Sequence, residues 1–481
     1  MPDLVALSIA SEIFPLVKTG GLADIAGALP LALAQENVAV STLVPGYPAV
    51  LDALAGAEPV AEFADLLGGP ARILRGKAGE LDLFALNAPH LYLRPGGPYI
   101  GADGIDHPDN AQRFAALSQA GAALSQGLAA NFTPDIVHGH DWQAGLTAAY
   151  LRFSGKRAPP FVFTIHNLAF QGVFRAGLLA PLGLPATSFV TGGLEFYDQI
   201  SFLKAGINFS DAITTVSPTY AREILQPDQG MSFDGILRAR EEVLYGIRNG
   251  IDTQVWNPAA DPLIAKNFSN RKLAARAENT HALRRKTGLA EIDGALLLGV
   301  VSRLSSQKGL DLVLECLPLF EPLNLQLVLL GAGDPELEEA FAEAAAAAPE
   351  RIAAHFGYSE GLAHLIQAGA HVLLAPSRFE PCGLTQLCAL RYGAVPLTSR
   401  VGGFADTIID ANDMALSAGC ATGLQFTPVA ADALAAALRK AAGIFANPAL
   451  WRQIQLNGMK SDVGWTQPAR TYANLFRKIA A

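Results

Sequence analysis

The chain has 481 residues, 51% hydrophobic and 16% charged, which is more than a single core usually supports, so two domains are expected. Thirty-five Lys and Arg against 44 Asp and Glu leave a formal charge of −9. That balance argues against nucleic acid and membrane partners, both of which are held chiefly by clustered cations, and favours a neutral polymer.

Four cysteines, Cys316, Cys382, Cys388 and Cys420, show neither metal-ligand spacing nor a disulfide framework, as expected in a reducing cytoplasmic compartment. At the start of the chain Asp3 stands where a signal peptide would be basic. The apolar run Leu4 to Ala10 is too short for export and reads as a first strand. No stretch reaches the roughly 20 apolar residues of a membrane helix, so a soluble protein is expected.

Short apolar runs ending in Gly, His or polar loops recur: Leu4 to Ala10, Ile136 to Val137, Phe161 to Ile165, Ala212 to Val216, Leu296 to Val301, Leu325 to Leu330, Val372 to Ala375 and Val395 to Thr398. Amphipathic segments follow them, the alternation that parallel sheets with crossover helices require. The polar, basic stretch from Asn249 to Arg285 interrupts this pattern and marks the boundary between two doubly wound α/β domains facing a central cleft. In such domains ligands sit at the C-terminal ends of strands.

Five segments at strand ends carry chemistry. Lys18-Thr19-Gly20-Gly21-Leu22-Ala23-Asp24 leads from the first strand into a helical pattern that Pro30 is expected to kink or interrupt. Two glycines at a helix start let backbone amides approach an anion, and the Lys18 ammonium adds positive potential. A plain Gly turn explains the same residues equally well. His138-Gly139-His140-Asp141-Trp142 follows the strand-like Asp135 to Val137. Its two histidines share one side of an extended segment, but no third ligand is near. A polar rim, with Asp141 accepting sugar hydroxyls, is the better reading. Thr164-Ile165-His166-Asn167 places a histidine at another strand end.

In the second half, Ser302-Arg303-Leu304-Ser305-Ser306-Gln307-Lys308-Gly309 sets two cations five residues apart, suited to a departing diphosphate or to a solvated loop. Pro376-Ser377-Arg378-Phe379-Glu380-Pro381-Cys382-Gly383-Leu384-Thr385-Gln386 opens a helix that Gly393 ends, so the amides of Gly383 to Thr385 can face an anion. Glu380, in a Pro-restrained loop, can accept sugar or ribose hydroxyls. Cys382 has no histidine base nearby and reads as a positioning residue rather than a nucleophile.

The order and separation of these motifs resemble the bacterial glycogen synthases and plant starch synthases over essentially the whole chain. The resemblance implies two Rossmann-like domains of the glycosyltransferase-B type: 1–255 on the glucan-acceptor side, 256–461 on the nucleotide-sugar side, and a C-terminal helical segment, 462–481, crossing back to the first. It implies that Lys18 and the Gly20 and Gly21 amides contact ADP phosphates, with Asp24 in the same motif. Arg303 and Lys308 neutralise the leaving diphosphate, and Glu380 with the Cys382 and Gly383 amides holds the glucose. Leu384 and Thr385 support the diphosphate, His166 and Asp141 face the transferred sugar, and Asn249 lies beside it. Tyr358, in His355-Phe356-Gly357-Tyr358, matches a position that stacks on adenine.

The implied reaction moves glucose from ADP-glucose to the non-reducing end of an α-1,4-glucan with retention of configuration. A retaining glycosidase needs two carboxylates about 5 Å apart, whereas the motifs supply one, Glu380. A front-face reaction is therefore expected. The chain has no Asp-x-Asp pair, so neither a metal nor another cofactor is expected. Two alternatives fit the same motifs. One is a related enzyme using UDP-glucose or a glucose 1-phosphate acceptor. The other is a non-catalytic glucan-binding protein, against which the intact Lys18, Arg303, Lys308 and Glu380 argue.

Overall fold

The computed structural model describes residues 2–481. They divide into two compact units, residues 2–249 with Trp465–Ala481, and Gly250–Gly464. The division falls at 249/250 and 464/465 rather than at the expected 255/256 and 461/462. Ile251 donates its N–H to the Val463 carbonyl at 2.9 Å and shares an apolar cluster with Leu387, Leu390 and Val463, which ties both short segments to the second unit.

The strands in chain order are β1 (Leu4–Ile9), β2 (Val38–Pro45), β3 (Pro59–Phe63), β4 (Ala71–Ala78), β5 (Leu81–Asn87), β6 (Ile136–His140), β7 (Phe161–Ile165), β8 (Val173–Arg175), β9 (Glu195–Phe196), β10 (Gln199–Ser201), β11 (Ala212–Thr215), β12 (Leu244–Gly246), β13 (Leu296–Val301), β14 (Leu325–Gly331), β15 (Ile352–Phe356), β16 (Val372–Ala375), β17 (Val395–Ser399) and β18 (Leu424–Phe426). The first unit holds a nine-stranded sheet in the order β12-β11-β7-β6-β1-β2-β5-β4-β3 and a three-stranded sheet β8-β10-β9. Pairing is parallel from β12 to β5 and antiparallel for β5-β4-β3. The second unit holds a six-stranded sheet, β15-β14-β13-β16-β17-β18, parallel throughout.

The nine-stranded and six-stranded sheets are covered on two faces, and the strands show it residue by residue. In β7, Phe161, Phe163 and Ile165 enter one apolar cluster while Val162 enters the other. In β13, Leu296, Leu298 and Val300 face one side and Leu297 the other. The period of two is that of strands buried on both faces. Helix Thr466–Ala480 packs Tyr472, Ala473 and Phe476, on one helical face, against Ala6, Ile136 and Val162 of the first sheet, alongside Ile25, Leu29 and Leu33 of helix Gly21–Ala34. Trp465, Leu475 and Ile479 belong to the same cluster.

Two sequence expectations change here. Helix Gly21–Ala34 runs through Pro30 without ending there, because the buried Pro30 and its neighbours are held against the sheet and packing outweighs propensity. Strand β6 extends to His140, so His138 and His140 belong to the sheet rather than to a rim beyond it. No helix among the described residues is long and apolar enough to cross a membrane.

Candidate active site

Among the parallel strands of each large sheet the order reverses once: between β1 and β6 in the first unit, and between β13 and β16 in the second. A crevice opens at the C-terminal ends of strands flanking such a reversal, where helix starts and strand-end loops converge. Every candidate motif except that of Tyr358 and the isolated Asn249 follows one of these strands or the next strand outward.

At the end of β1 the organising residue is Glu12, 3% exposed. Its carboxylate accepts the Thr19 N–H at 2.5 Å, the Thr19 hydroxyl at 2.6 Å, the Gly20 N–H at 3.3 Å and the Tyr99 hydroxyl. Burial and the Glu12 charge push the Tyr99 hydroxyl well above its ordinary pKa, so it stays a donor. The Gly20 amide is therefore turned toward the Glu12 carboxylate and not toward a phosphate, contrary to the sequence expectation. Lys18 Nζ pairs with Asp24 Oδ1 at 2.8 Å, which places Asp24 as the partner of the lysine. Gly21 begins a helix with no side-chain cap, so its first-turn amides keep the anion-binding character of an open helix start. An added Cβ at Gly20 would meet nothing within 4 Å, and its φ of −156° suits any residue. The fold itself does not require that glycine; room for a ligand beside the backbone would.

The ends of β6 and β7 hold three histidines. His138 Nε2 lies 2.6 Å from the Thr164 hydroxyl and His140 Nδ1 lies 2.9 Å from His166 Nε2. The His138 and His140 rings are 4.1 Å apart, and Tyr472 and Phe476 close over His138. Burial lowers the pKa of all three, that of His140 to about 3, so they are neutral imidazoles at physiological pH. Asp141, at φ 55°, accepts the His166 N–H at 2.7 Å. Burial raises its carboxyl to about 7, against the pull of the His166 and Asn167 amides. The expectation that Asp141 offers itself to sugar hydroxyls is thus corrected: it ties the end of β6 to the loop after β7 and orients His166. Among the buried polar atoms that lack a hydrogen-bond partner are His166 Nδ1 and Asn249 Oδ1. Each such atom costs roughly 1–3 kcal/mol unless a ligand group meets it, which suits both to a sugar hydroxyl.

In the second domain the loops after β13 and β16 are clasped together. Lys308 Nζ lies 2.5 Å from Glu380 Oε2, which also accepts the Ser377 hydroxyl at 3.0 Å. Glu380 Oε1 is left for a hydroxyl, and Lys308 retains two further donors. Arg378 grips Asp311 at 2.8 and 2.5 Å and the Ser306 carbonyl at 2.8 Å. Gly309 sits at φ 65° with the Pro376 carbonyl oxygen 2.1 Å from where its Cβ would be, and Gly383 at φ 69° is equally hemmed in by Gln386 and Phe404. Both glycines are demanded by the turn and the close approach. Helix Thr385–Tyr392 has Leu384 at its N-cap position and no side-chain cap, so its first-turn amides have the anion-binding character of an open helix start. Arg303, in the loop after β13, is exposed, and Cys382, in the loop after β16, is buried. Tyr358 follows β15, one strand outward from β14, and is 75% exposed.

Sequence reasoning missed Glu12, Tyr99, Ser377, Arg378 and Asp311 as members of these sites. A carboxylate three residues beyond the first strand was the one signal for Glu12, and Ser377 stands three residues before its partner Glu380 in the same run; Tyr99, Arg378 and Asp311 show none, since their partners lie far off in sequence.

The family model described as starch synthase catalytic domain matches residues 6–239, and that described as glycosyl transferases group 1 matches residues 284–443. A glycogen synthase of Rhodopseudomonas palustris (strain BisB18) is 59% identical over 481 residues, covering 100% of this chain and 98% of its own length. One from Methylocella silvestris is 59% identical over 479 residues, covering 100% and 99%. Among solved structures, the catalytic domain of starch synthase IV from Arabidopsis thaliana, bound to ADP and acarbose, matches with a TM-score of 0.88 at 28% identity over 99% of each chain.

Proposed function

The chain belongs to the bacterial glycogen synthase family, and from that premise we propose how it transfers glucose from ADP-glucose to the non-reducing end of an α-1,4-glucan with retention of configuration. The observation that carries the reading is the pairing of Lys308 with Glu380 beside the uncapped start of helix Thr385–Tyr392. A cation and open amides suit a diphosphate, and a carboxylate oxygen suits a sugar hydroxyl.

In this reading the second domain is the nucleotide-sugar side and the first the glucan side. Lys308 and Arg303 neutralise charge as the bond from C1 to the diphosphate breaks, and the amides of Gly383, Leu384 and Thr385 take phosphate oxygens. Glu380 Oε1 accepts a glucose hydroxyl, with Cys382 packed beneath. The acceptor hydroxyl attacks C1 from the face that the diphosphate leaves, and a diphosphate oxygen takes its proton, so configuration is retained without a protein nucleophile. His166, a neutral imidazole, meets a hydroxyl of the transferred sugar through Nδ1, and Asn249 does so through Oδ1. Asp141 acts on His166 rather than on the sugar. Lys18 and the first-turn amides from Gly21 onward add positive potential toward the phosphates, and Tyr358 stacks on the adenine. Ammonium, guanidinium and amide groups then carry the charge that a divalent metal carries elsewhere.

The test is transfer of radiolabelled glucose to glycogen primer. Label is expected in polymer from ADP-glucose, far less from UDP-glucose, and none in maltose phosphate when glucose 1-phosphate is offered as acceptor. Faster transfer from UDP-glucose would overturn the donor, labelled maltose phosphate would overturn the acceptor, and glycogen binding without transfer would make the chain a glucan-binding protein.

A further inference from the structure

Tyr358 stands on an exposed turn after Gly357, whose φ is 107°, and the residue is 75% exposed. Its hydroxyl is nevertheless engaged: it donates to Glu360 Oε2. Glu360 opens helix Glu360–Gly369, whose N-cap Ser359 hydroxyl accepts the Leu362 N–H at 3.3 Å. One helical turn on, His364 Nε2 lies 3.3 Å from Glu360 Oε1. The two oxygens of one carboxylate are thus divided, one to the buried histidine and one to the exposed tyrosine.

The histidine is itself held from behind. His364 is 2% exposed, and its Nδ1 lies 2.7 Å from Asp261 Oδ2. That oxygen also accepts the Tyr392 hydroxyl at 2.6 Å, while Asp261 Oδ1 accepts the Leu263 N–H at 2.8 Å. The Trp256 indole stacks on the imidazole at 4.0 Å with an interplanar angle of 12°. An imidazole with a carboxylate on each nitrogen donates from both. Burial alone would lower the His364 pKa, but the bonds to Glu360 and Asp261 carry it above its ordinary value.

We propose that Asp261, His364 and Glu360 form a relay that positions Tyr358 for the nucleobase of the donor, so that donor recognition depends on side chains that never touch it. The proposal rests on the reading of Tyr358 as the base-stacking residue. Asp261 meets only the Nδ1 side of His364 and Trp256 packs its face, so the buried imidazole needs a second partner, which a merely structural cluster would supply from within the core. Its second nitrogen instead reaches out to a carboxylate 34% exposed, whose other oxygen holds the tyrosine.

Steady-state kinetics of the full-length enzyme with ADP-glucose and glycogen test both layers. Tyr358→Ala tests the stacking: KM for ADP-glucose is expected to rise at least about tenfold, the loss of a base–aromatic contact. If KM does not rise, the stacking reading itself fails. Tyr358→Phe keeps the ring and removes the hydroxyl, and Glu360→Ala removes its acceptor. Each is expected to raise KM about threefold, the worth of one modest hydrogen bond, with kcat unchanged, and the double variant is expected to do no worse than either single one. A large effect of Tyr358→Ala combined with wild-type KM in the other two, or with additive effects in the double variant, sinks the relay while sparing the stacking. His364→Gln should match Glu360→Ala in KM, whereas Tyr392→Phe, which strips Asp261 of a different partner, should not. Equal KM shifts in His364→Gln and Tyr392→Phe would mark general loosening and refute the relay. If the buried His364 variant fails to fold, the Tyr358–Glu360 cycle decides alone.

Discussion

Lys308 Nζ lies 2.5 Å from Glu380 Oε2, joining residues 72 positions apart on the two loops that flank the strand-order reversal of the second domain. Because one charge fixes the other, neither acts independently on the diphosphate or the sugar. Replacing either with Ala is expected to lower kcat by roughly 10²- to 10³-fold, the cost of losing one preorganised group for transition-state charge. The double variant is expected to fall little below the worse single one, since groups acting as a unit are not additive. Side chains 18% and 10% exposed also leave a partner uncompensated, so each single variant should lose about 1–3 kcal/mol of stability. Labelled-transfer rates and thermal denaturation of the three variants check both claims; multiplicative losses in kcat would show that the two residues work separately.

The Glu12 carboxylate gathers four donors from Thr19, Gly20 and Tyr99, which makes it the residue that shapes the Lys18 loop. Glu12→Gln puts an NH₂ group where an oxygen now accepts, leaving at least one donor facing another donor. A stability loss of about 2 kcal/mol is expected, together with a rise in KM for ADP-glucose and faster hydrogen exchange at the Thr19 and Gly20 amides. Wild-type exchange at those amides would remove Glu12 from this role.

The architecture was legible in the sequence because each apolar run, such as Leu296 to Val301, is strand-sized and ends in the loop that carries its motif. The motifs at Arg303 to Gly309 and Pro376 to Gln386 were placed correctly on strand ends for the same reason. What could not be read was pairing at long range. Glu12 meets Thr19 seven residues on but Tyr99 at a separation of 87, and nothing local marks that partnership. His138 and His140 were recognisable as sharing a side of a strand. Their burial was not, since Tyr472 and Phe476, which pack over His138, come from the far end of the chain. Asp141 looked open to a sugar because the groups that engage its carboxylate are backbone amides, which no side-chain pattern reveals.

Phosphate charge in this reading is met by Lys18, Arg303, Lys308 and helix-start amides, and the sequence offers no Asp-x-Asp pair to hold a metal against a diphosphate. Enzyme treated with a chelator and then freed of it is expected to transfer glucose at its original rate. Loss of activity that Mg²⁺ or Mn²⁺ restores would show that the cations of the chain are insufficient.

The buried carboxyl of Asp141 sets a pH dependence whose sign is opposite to that of the histidines beside it. Burial raises it from 3.8 to about 7, so between about pH 4 and pH 7 the folded chain holds a proton that the unfolded chain has released. That proton stabilises the fold by at most roughly 4 kcal/mol, and its contribution is lost as pH rises through about 7. His138, His140 and His166 have lowered values, that of His140 about 3. Below about pH 6.5 the unfolded chain takes up their protons first, so their contribution is lost as pH falls. The total profile mixes the two, but Asp141→Asn separates them, because Asn tolerates the left-handed backbone at φ 55° and leaves the histidines in place. Near pH 5, where Asp141 is neutral, the variant and the parent should melt at similar temperatures. By pH 8 the variant should melt higher, because the parent then buries a carboxylate. A melting-temperature difference that stays constant from pH 5 to pH 8 would show that Asp141 is ionised throughout, and that the His166 and Asn167 amides outweigh its burial.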